Sequence, residues 1–251
     1  MNMENCWQEE DLFPKRLTAY EQRPYGWLFY NDENKDSFDS NHALLYRDGI
    51  GELGAVLEEI TRFYQKKAIA PAVYQAVRDE GYFEENRDVF AAHGYDVWTE
   101  EQRYMLLTAP NTLRPAGEIL VKRENVWKDA FAREIFEKAD EPWETAVAKR
   151  AMQNPSTLFF AAYIAGKPVG MTYCHTAGDV CRLDYLLIAK EYRRRGVARS
   201  LICHLVDECR AKGITNCFLW PDGETAERIY HEAGFRYVET KLAGRAALRR
   251  D

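Results

Sequence analysis

The sequence predicts a mixed α/β (α+β) fold in two domains. Three observations carry that expectation: the order β-α-α-β-β-β-α-β-α-β-β across residues 118–248, a break rich in proline and small residues at 107–117, and a shortened version of the same order over 42–107. In the break, Pro110 and Pro115 remove backbone donors and bias their predecessors toward extended structure, and no apolar period runs through it. It reads as a linker between a domain at 1–110 and a second at 117–251.

In the second domain, residues 118–123 alternate as a strand does, and 126–139 and 143–152 carry helical apolar spacing. Residues 158–164 and 168–175 read as a hairpin around Ala165-Gly166-Lys167, where the glycine supplies the unusual φ, and 180–188 follows as a third hairpin-linked strand. Residues 197–212 place Leu201, Leu205 and Cys209 at i, i+4 and i+8; Ile202 and Val206 widen the stripe and Gly213 ends it, which predicts a core-packed helix. A strand at 216–220, a helix at 225–233 stopped by Gly234, and extended segments at 235–241 and 243–248 complete the order.

The first domain repeats part of this. Residues 42–46 read as a strand, 52–67 as a helix with Leu53, Val56, Leu57, Ile60 and Phe63 on one face, 70–75 as a strand and 84–93 as a helix, with Gly94-Tyr95 standing where Gly234-Phe235 stands later. The overlay puts Phe90 at the position of Tyr230, and leaves only Arg47-Asp-Gly-Ile-Gly51 between strand and helix, with Asp48 in it. The segment Gly49-Ile-Gly51-Glu-Leu-Gly54 is formally a dinucleotide-type glycine run, but residues 75–77 supply no acidic residue at the end of the next strand. Asp39, Asn41 and His42 are candidates for a substrate cleft, against the plainer reading of capping and turn hydrogen bonds.

Composition narrows the class. The 251 residues hold 34 Lys+Arg and 40 Asp+Glu, a net charge of −6, with 46% hydrophobic and 29% charged content, which excludes a disordered or collagenous chain. The longest apolar run, 158–165, is far short of the ~20 residues a membrane span needs, and the start lacks a basic segment followed by an apolar one. A cytoplasmic protein with no membrane partner is expected. Charge is uneven: 12 basic against 21 acidic residues over 1–116, and 22 against 19 over 117–251. That favours a cationic substrate near the first half and an anionic ligand in the second, and no basic stripe interleaved with aromatics suggests nucleic acid. The six cysteines form no C-x-x-C pair and have no histidine at zinc-finger spacing, so reduced, buried thiols and no metal are expected; a disulfide between Cys174 and Cys181, flanking a hairpin turn, is the alternative.

The chemistry concentrates in Ala189-Lys-Glu-Tyr-Arg-Arg-Arg-Gly-Val-Ala198, between an apolar strand and a helix. A loop entering a helix N-terminus presents unpaired N–H groups and the positive end of the dipole, which suits a phosphate. Gly196 permits close backbone approach and Ala198 avoids a clash. Arg193-x-x-Gly196-x-Ala198, followed by Ala226-Glu-Arg-Ile-Tyr230-His-Glu-Ala-Gly234-Phe235, resembles the GNAT superfamily of N-acetyltransferases over about 117–250: the first segment is similar to its acetyl-CoA loop, the second to its A-x-x-x-Y…G-F segment.

The resemblance implies a mostly antiparallel central sheet flanked by helices, preceded by a truncated, degenerate GNAT-like domain, and acetyl-CoA as co-substrate. It implies that backbone N–H groups of Arg194, Arg195, Gly196, Val197, Ala198 and Arg199 hold the pyrophosphate, that Arg193 belongs to the same cofactor-binding loop, and that Leu186, Leu187 and Ile188 pair with pantetheine where their strand splays from 216–220. It further implies that the Ile188 N–H polarises the thioester carbonyl and that Tyr230 protonates the departing thiolate. Gly223, beside Asp222, stands where many members carry Asn. For the base, Asp184, a charge inside the apolar run 183–188, is the first candidate, with an ion pair to Arg182 as its plain alternative, and His175 is the second. Glu141 and Glu144 are candidates to bind a cationic amine. The expected activity is acetyl transfer to a primary amine by direct attack, the acceptor being a small cationic amine; another acyl-CoA donor, a non-catalytic acyl-CoA-binding module and a dinucleotide site are the rivals.

Overall fold

The computed structural model describes residues 3–249 and divides them into two compact units, each with its own core. One unit takes residues 10–102 with the segment from 240 onward; the other takes 103–239 with the residues up to 9. The opening and closing segments are thus exchanged relative to a division at the proline-rich break, because helix α1 (Met3–Leu12) and the last strand each serve two cores. Cys6 and Trp7 of α1 pack with Tyr104, Val180 and Phe218, whereas the Asp11 carboxylate accepts the Val77 N–H at 3.0 Å.

In the first unit, β1 (Ala19–Arg23) and β2 (Gly26–Tyr30) form a hairpin, and β3 (His42–Leu45) runs antiparallel to β2. Helix α2 (Leu53–Lys66) then crosses to β4 (Ala72–Gln75), which is parallel to β3. The apolar face read from the sequence does the packing: Leu57, Ile60 and Tyr64 are fully buried with Val73, Phe83 and Phe90. The single helix expected at 84–93 is two, α3 (Tyr82–Glu85) and α4 (Arg87–Ala92), because Asn86 takes a non-helical conformation between them. Strand β5 (Tyr95–Leu107) follows.

The second unit runs β6 (Leu120–Glu124), α5 (Asp129–Phe131), a π-helical turn at Ala132–Phe136, α6 (Glu137–Ala139), α7 (Thr145–Gln153), β7 (Thr157–Ile164), β8 (Lys167–Ala177), β9 (Val180–Ile188), α8 (Val197–Ala211), β10 (Asn216–Leu219), α9 (Glu224–Ala233) and β11 (Phe235–Leu248). Strands β6 to β9 are antiparallel neighbours; β10 is parallel to β9, and the end of β5 is antiparallel to β10. This is the mixed, mostly antiparallel sheet flanked by helices that the sequence implied. Leu201, Leu205, Val206 and Cys209 of α8 are fully buried against it. Burying one such leucine contributes roughly 1.5–3 kcal/mol.

Two expectations are corrected. The extended segments at 235–241 and 243–248 are one strand, whose end, 245–247, completes the first unit's sheet beside β4. The stretch 107–117 is packed into the second unit: the Thr108 and Ala109 N–H groups donate to the Gly234 carbonyl at 3.1 and 2.9 Å, Thr112 donates to Glu232 O at 2.9 Å, and Leu113 is buried. Gly234 is required there twice over, with φ of +104° and the Ala109 oxygen 2.2 Å from where a Cβ would stand. Among the described residues no helix is long and apolar enough to cross a membrane.

Candidate active site

The site begins with how far two parallel strands stay together. β10 pairs with β9 only at Asn216↔Val180, Cys217↔Cys181 and Phe218↔Arg182. β9 continues to Ile188, held along its other edge by β8 from Ala177↔Val180 to Gly170↔Ile188. Among the described residues, the backbone of Leu186, Leu187 and Ile188 therefore has a strand partner on one side only.

The wedge leads into the loop that opens α8. Arg194 and Gly196 both lie in the left-handed region, at φ of +61° and +84°. The first turn-closing bond of α8 runs from the Ser200 N–H to the Gly196 carbonyl at 3.0 Å, and no side chain caps the helix. The N–H groups of Val197, Ala198 and Arg199 thus project from the helix start without intrahelical partners. Arg193, Arg194 and Arg195 are exposed beside them; the Arg193 Nε donates to Ile188 O at 3.2 Å and Arg195 pairs with Glu118 at 3.2 Å. Arg199 is turned the other way, onto Glu232.

Tyr230, on α9, is buried, with the Phe235 ring edge-on at 5.9 Å. Burial, reinforced by the Asp222 carboxylate, pushes its phenol above the usual range and keeps it protonated at neutral pH. Gly223, at φ of +82°, ends the loop before α9 and offers no side chain.

On the face of the sheet away from α8, a β-bulge between Tyr173 and Cys174 of β8 leaves Asp184 opposite no residue, since Tyr185 pairs with Tyr173 and Leu183 with Cys174. A bulge turns a side chain out of the alternation, which explains a carboxylate within an apolar run. Asp184 forms an ion pair with Arg182, and its Oδ2 lies 3.4 Å from the His175 Nε2. The His175 Nδ1 is 3.0 Å from the Thr157 hydroxyl. Burial alone would raise the Asp184 carboxyl; the Arg182 guanidinium and His175 reverse that and hold it well below the usual carboxylate range. His175 itself is fully buried, so Asp184 is the member nearer solvent.

Tyr173 and Tyr185, not singled out from the sequence, stack across the two strands at 5.8 Å. Burial first, then the charges of Glu144, Glu141 and Asp184, raises the Tyr185 phenol. Half-buried Glu141 and Glu144 therefore act on the same patch as Asp184.

The candidates of the first unit are occupied structurally. Asn41 accepts the Asn31 N–H at 2.7 Å and donates to Asn34 O and Ser37 O; His42 stacks on Tyr74 at 4.0 Å, and Asp39 accepts the Tyr74 hydroxyl at 3.0 Å. The glycine run 49–54 enters α2, where the Glu52 carboxylate accepts the Gly54 and Ala55 N–H groups at 3.0 and 2.6 Å. A phosphate would meet a carboxylate there.

A strand parting from its parallel neighbour and feeding an uncapped helix N-terminus leaves backbone N–H groups and the positive end of a helix dipole facing an open edge, an arrangement suited to an anion. Residues 123–235 match the model of the acetyltransferase (GNAT) family. Among solved structures the chain is similar to a GCN5-related N-acetyltransferase from Kribbella flavida, with 16% identity and a TM-score of 0.69 over 98% of this chain and 95% of that one. It is also similar to a GCN5-related N-acetyltransferase from Sphaerobacter thermophilus, with 14% identity and a TM-score of 0.55 over 93% and 76%. A tandem GNAT protein from the clavulanic acid biosynthesis pathway gives 11% identity and a TM-score of 0.55 over 84% and 76%. At these identities the likeness is one of fold. No curated protein is significantly similar to the chain.

Proposed function

We propose that the chain is an acetyl-CoA-dependent N-acetyltransferase that acetylates a primary amine by direct attack. The observation that carries this reading is the wedge itself, where β9 runs past its last pairing with β10 at Arg182 and into the left-handed turn that opens α8. In this proposal the pyrophosphate lies on the N–H groups of Arg194 to Arg199, with Arg193, Arg194 and Arg195 adding positive charge. Pantetheine pairs with the open edge at Leu186, Leu187 and Ile188, and the Ile188 N–H polarises the thioester carbonyl.

The neutral amine attacks the acetyl carbon, forming a C–N bond. The C–S bond breaks with its electron pair going to sulfur, and Tyr230 donates its phenolic proton to the thiolate. The proton lost by the amine nitrogen leaves through water and one equivalent returns to Tyr230, so the products are an amide and CoA thiol. Asp184 was the first candidate base, with His175 second. A carboxylate whose proton affinity is lowered by Arg182 accepts protons poorly, so Asp184 is proposed to hold the amine as an anion, with His175 and Arg182 positioning it. Glu141 and Glu144 on the same patch support a small cationic acceptor. The unit at 10–102 is proposed to be a truncated GNAT-like copy without a cofactor site.

The test is a thermal-shift titration with acetyl-CoA, CoA, succinyl-CoA and NAD in parallel, followed by an amine screen read by thiol release. A ligand of the folded state at a hundredfold excess over Kd adds about 2.7 kcal/mol, so binding is readily seen. Shifts with acetyl-CoA and CoA but not NAD, and amine-dependent thiol release, are expected. No shift with either CoA species sinks the proposal; a shift without release from any amine leaves an acyl-CoA-binding module.

A further inference from the structure

On the face of the sheet away from α8, a stack of aromatic rings stops one strand short. Phe159 of β7, Tyr173 of β8 and Tyr185 of β9 are direct register partners across neighbouring strands. Their rings are near parallel, 6.0 Å and 12° apart from Phe159 to Tyr173, then 5.8 Å and 24° from Tyr173 to Tyr185. Phe159 and Tyr173 are 1% and 2% exposed, whereas Tyr185 is only half-buried. The next rung would come from β10, which pairs with β9 no further than Phe218↔Arg182.

The missing rung lies in the wedge between β9 and β10. Tyr185 precedes Ile188 by three residues, about 10 Å along a strand. That reach is filled by a ring, a short alkyl chain, an amine and the acetyl group it attacks. Phe159 and Tyr173 hold the Tyr185 ring from behind, so its outer face is set before a ligand arrives and little freedom is lost on stacking. The turn Pro142–Glu144 adds charge: Glu144 and Glu141 both act on the Tyr185 phenol, and Trp143 between them is 63% exposed. The helical segment ahead of that turn packs on β8 and β9 through the π-helical residues Ala132–Phe136, an irregularity frequent at functional sites.

We propose that Tyr185 is a specificity residue of the acceptor site and that the acceptor is an arylalkylamine, a primary amine joined by a short chain to an aromatic ring that takes the missing rung. The inference rests on the amine-acetylating reading above and narrows its acceptor. The ring stacks offset on Tyr185, and the amine points along β9 toward the thioester at Ile188. The carboxylates of Glu141 and Glu144 draw the ammonium form into the cleft. An aliphatic amine answers those charges but leaves the Tyr185 face in water; a neutral aromatic ring does the reverse.

The experiment is thiol release from acetyl-CoA by the full chain with 2-phenylethylamine, 2-cyclohexylethylamine, butylamine and 1,4-diaminobutane. The phenyl and cyclohexyl amines match in size and differ in the π-face, so their ratio of kcat/KM reads stacking. That ratio should favour the phenyl amine by about two- to tenfold, the worth of one ring pair, and appear in KM. Tyr185→Leu should bring the ratio to one, and Tyr185→Phe, which keeps the ring, should preserve it. A thermal shift with CoA retained by both variants shows that they are folded. Equal or better turnover of the cyclohexyl amine or the diamine by the unaltered chain overturns the arylalkylamine site and leaves the acetyltransferase reading standing. A ratio that survives in Tyr185→Leu overturns the role of Tyr185. Thiol release from none of the amines overturns the acetyltransferase reading, and the ring site with it.

Discussion

The chain builds a parallel β-α-β unit twice, as β3-α2-β4 and as β9-α8-β10, and the two differ at the helix entrance. In the first, pairing runs to the end of β3, from Ala43↔Val73 to Leu45↔Gln75, and the Ala76 N–H adds a bond to Leu45 O at 3.0 Å. A short 3-10 turn at Arg47–Gly49 follows, and Glu52 closes the α2 N-terminus with its own carboxylate. In the second, β9 outruns its partner, two left-handed residues precede the helix, and no side chain fills its N-terminus. The helix dipole is common to both units; what differs is whether a carboxylate already accepts the first N–H groups of the helix and whether a strand edge is open beside it.

The largest test of that contrast is Tyr230→Phe, which gives α9 the phenyl group that Phe90 already presents in α4. Turnover should fall by a factor on the order of 10² to 10⁴, the usual worth of a positioned proton donor, while CoA affinity in a thermal-shift titration stays unchanged. Equal turnover would remove Tyr230 from the mechanism and leave Phe90 no sign of a lost function.

Next is Gly196→Glu, which imports the Glu52 arrangement into α8. CoA affinity should weaken by more than about tenfold, roughly 1.4 kcal/mol, because a carboxylate takes the pyrophosphate position. Gly196→Ala is the control: its Cβ would stand 3.4 Å from the Ala116 Cβ, an ordinary contact, so only the left-handed backbone, at roughly 1–2 kcal/mol, is charged to stability. If both variants bind CoA equally, the vacancy at the helix start does not matter.

How much of this was legible in the sequence follows from what each feature depends on. Helices α2 and α8 were readable because their apolar stripes are local and periodic, and the loop at 189–198 because arginines and a glycine precede a helix. The exit of β9 from β10 was implied only through the family resemblance, since pairing length is set by where a distant strand stops. The bulge that aims Asp184 was invisible because it is a property of register, and the hairpin β1-β2 was missed for want of an alternating apolar pattern in Ala19–Arg23. The proline-rich stretch was misread because its bonds run to residues 232–234, far along the chain.

A smaller effect separates the units through pH. Burial, opposed by the Val77 N–H, raises the Asp11 carboxyl to about 8. Its folded value lies above its unfolded one, so between pH ~4 and ~8 the folded state holds a proton that the unfolded state has lost, and stability falls as pH rises through that window. Asp11→Asn, which keeps an acceptor for Val77, should flatten this decline and raise the melting temperature at neutral pH. A pH profile of melting identical to that of the unaltered chain would show that Asp11 ionises normally.

The smallest expected effect is the most informative about the comparison. Glu52→Ala opens the α2 N-terminus by removing the carboxylate that now accepts the Gly54 and Ala55 N–H groups. Melting should drop slightly, because two donors return to water at an exposed site. CoA bound per chain, counted by calorimetry, should not increase. Strand β3 would still be paired to its last residue, and the turn ahead of α2 would still lack the left-handed pair that precedes α8. A second equivalent of CoA on this variant would mean that a vacant helix start suffices, and that the open edge of β9 contributes nothing that β3 lacks.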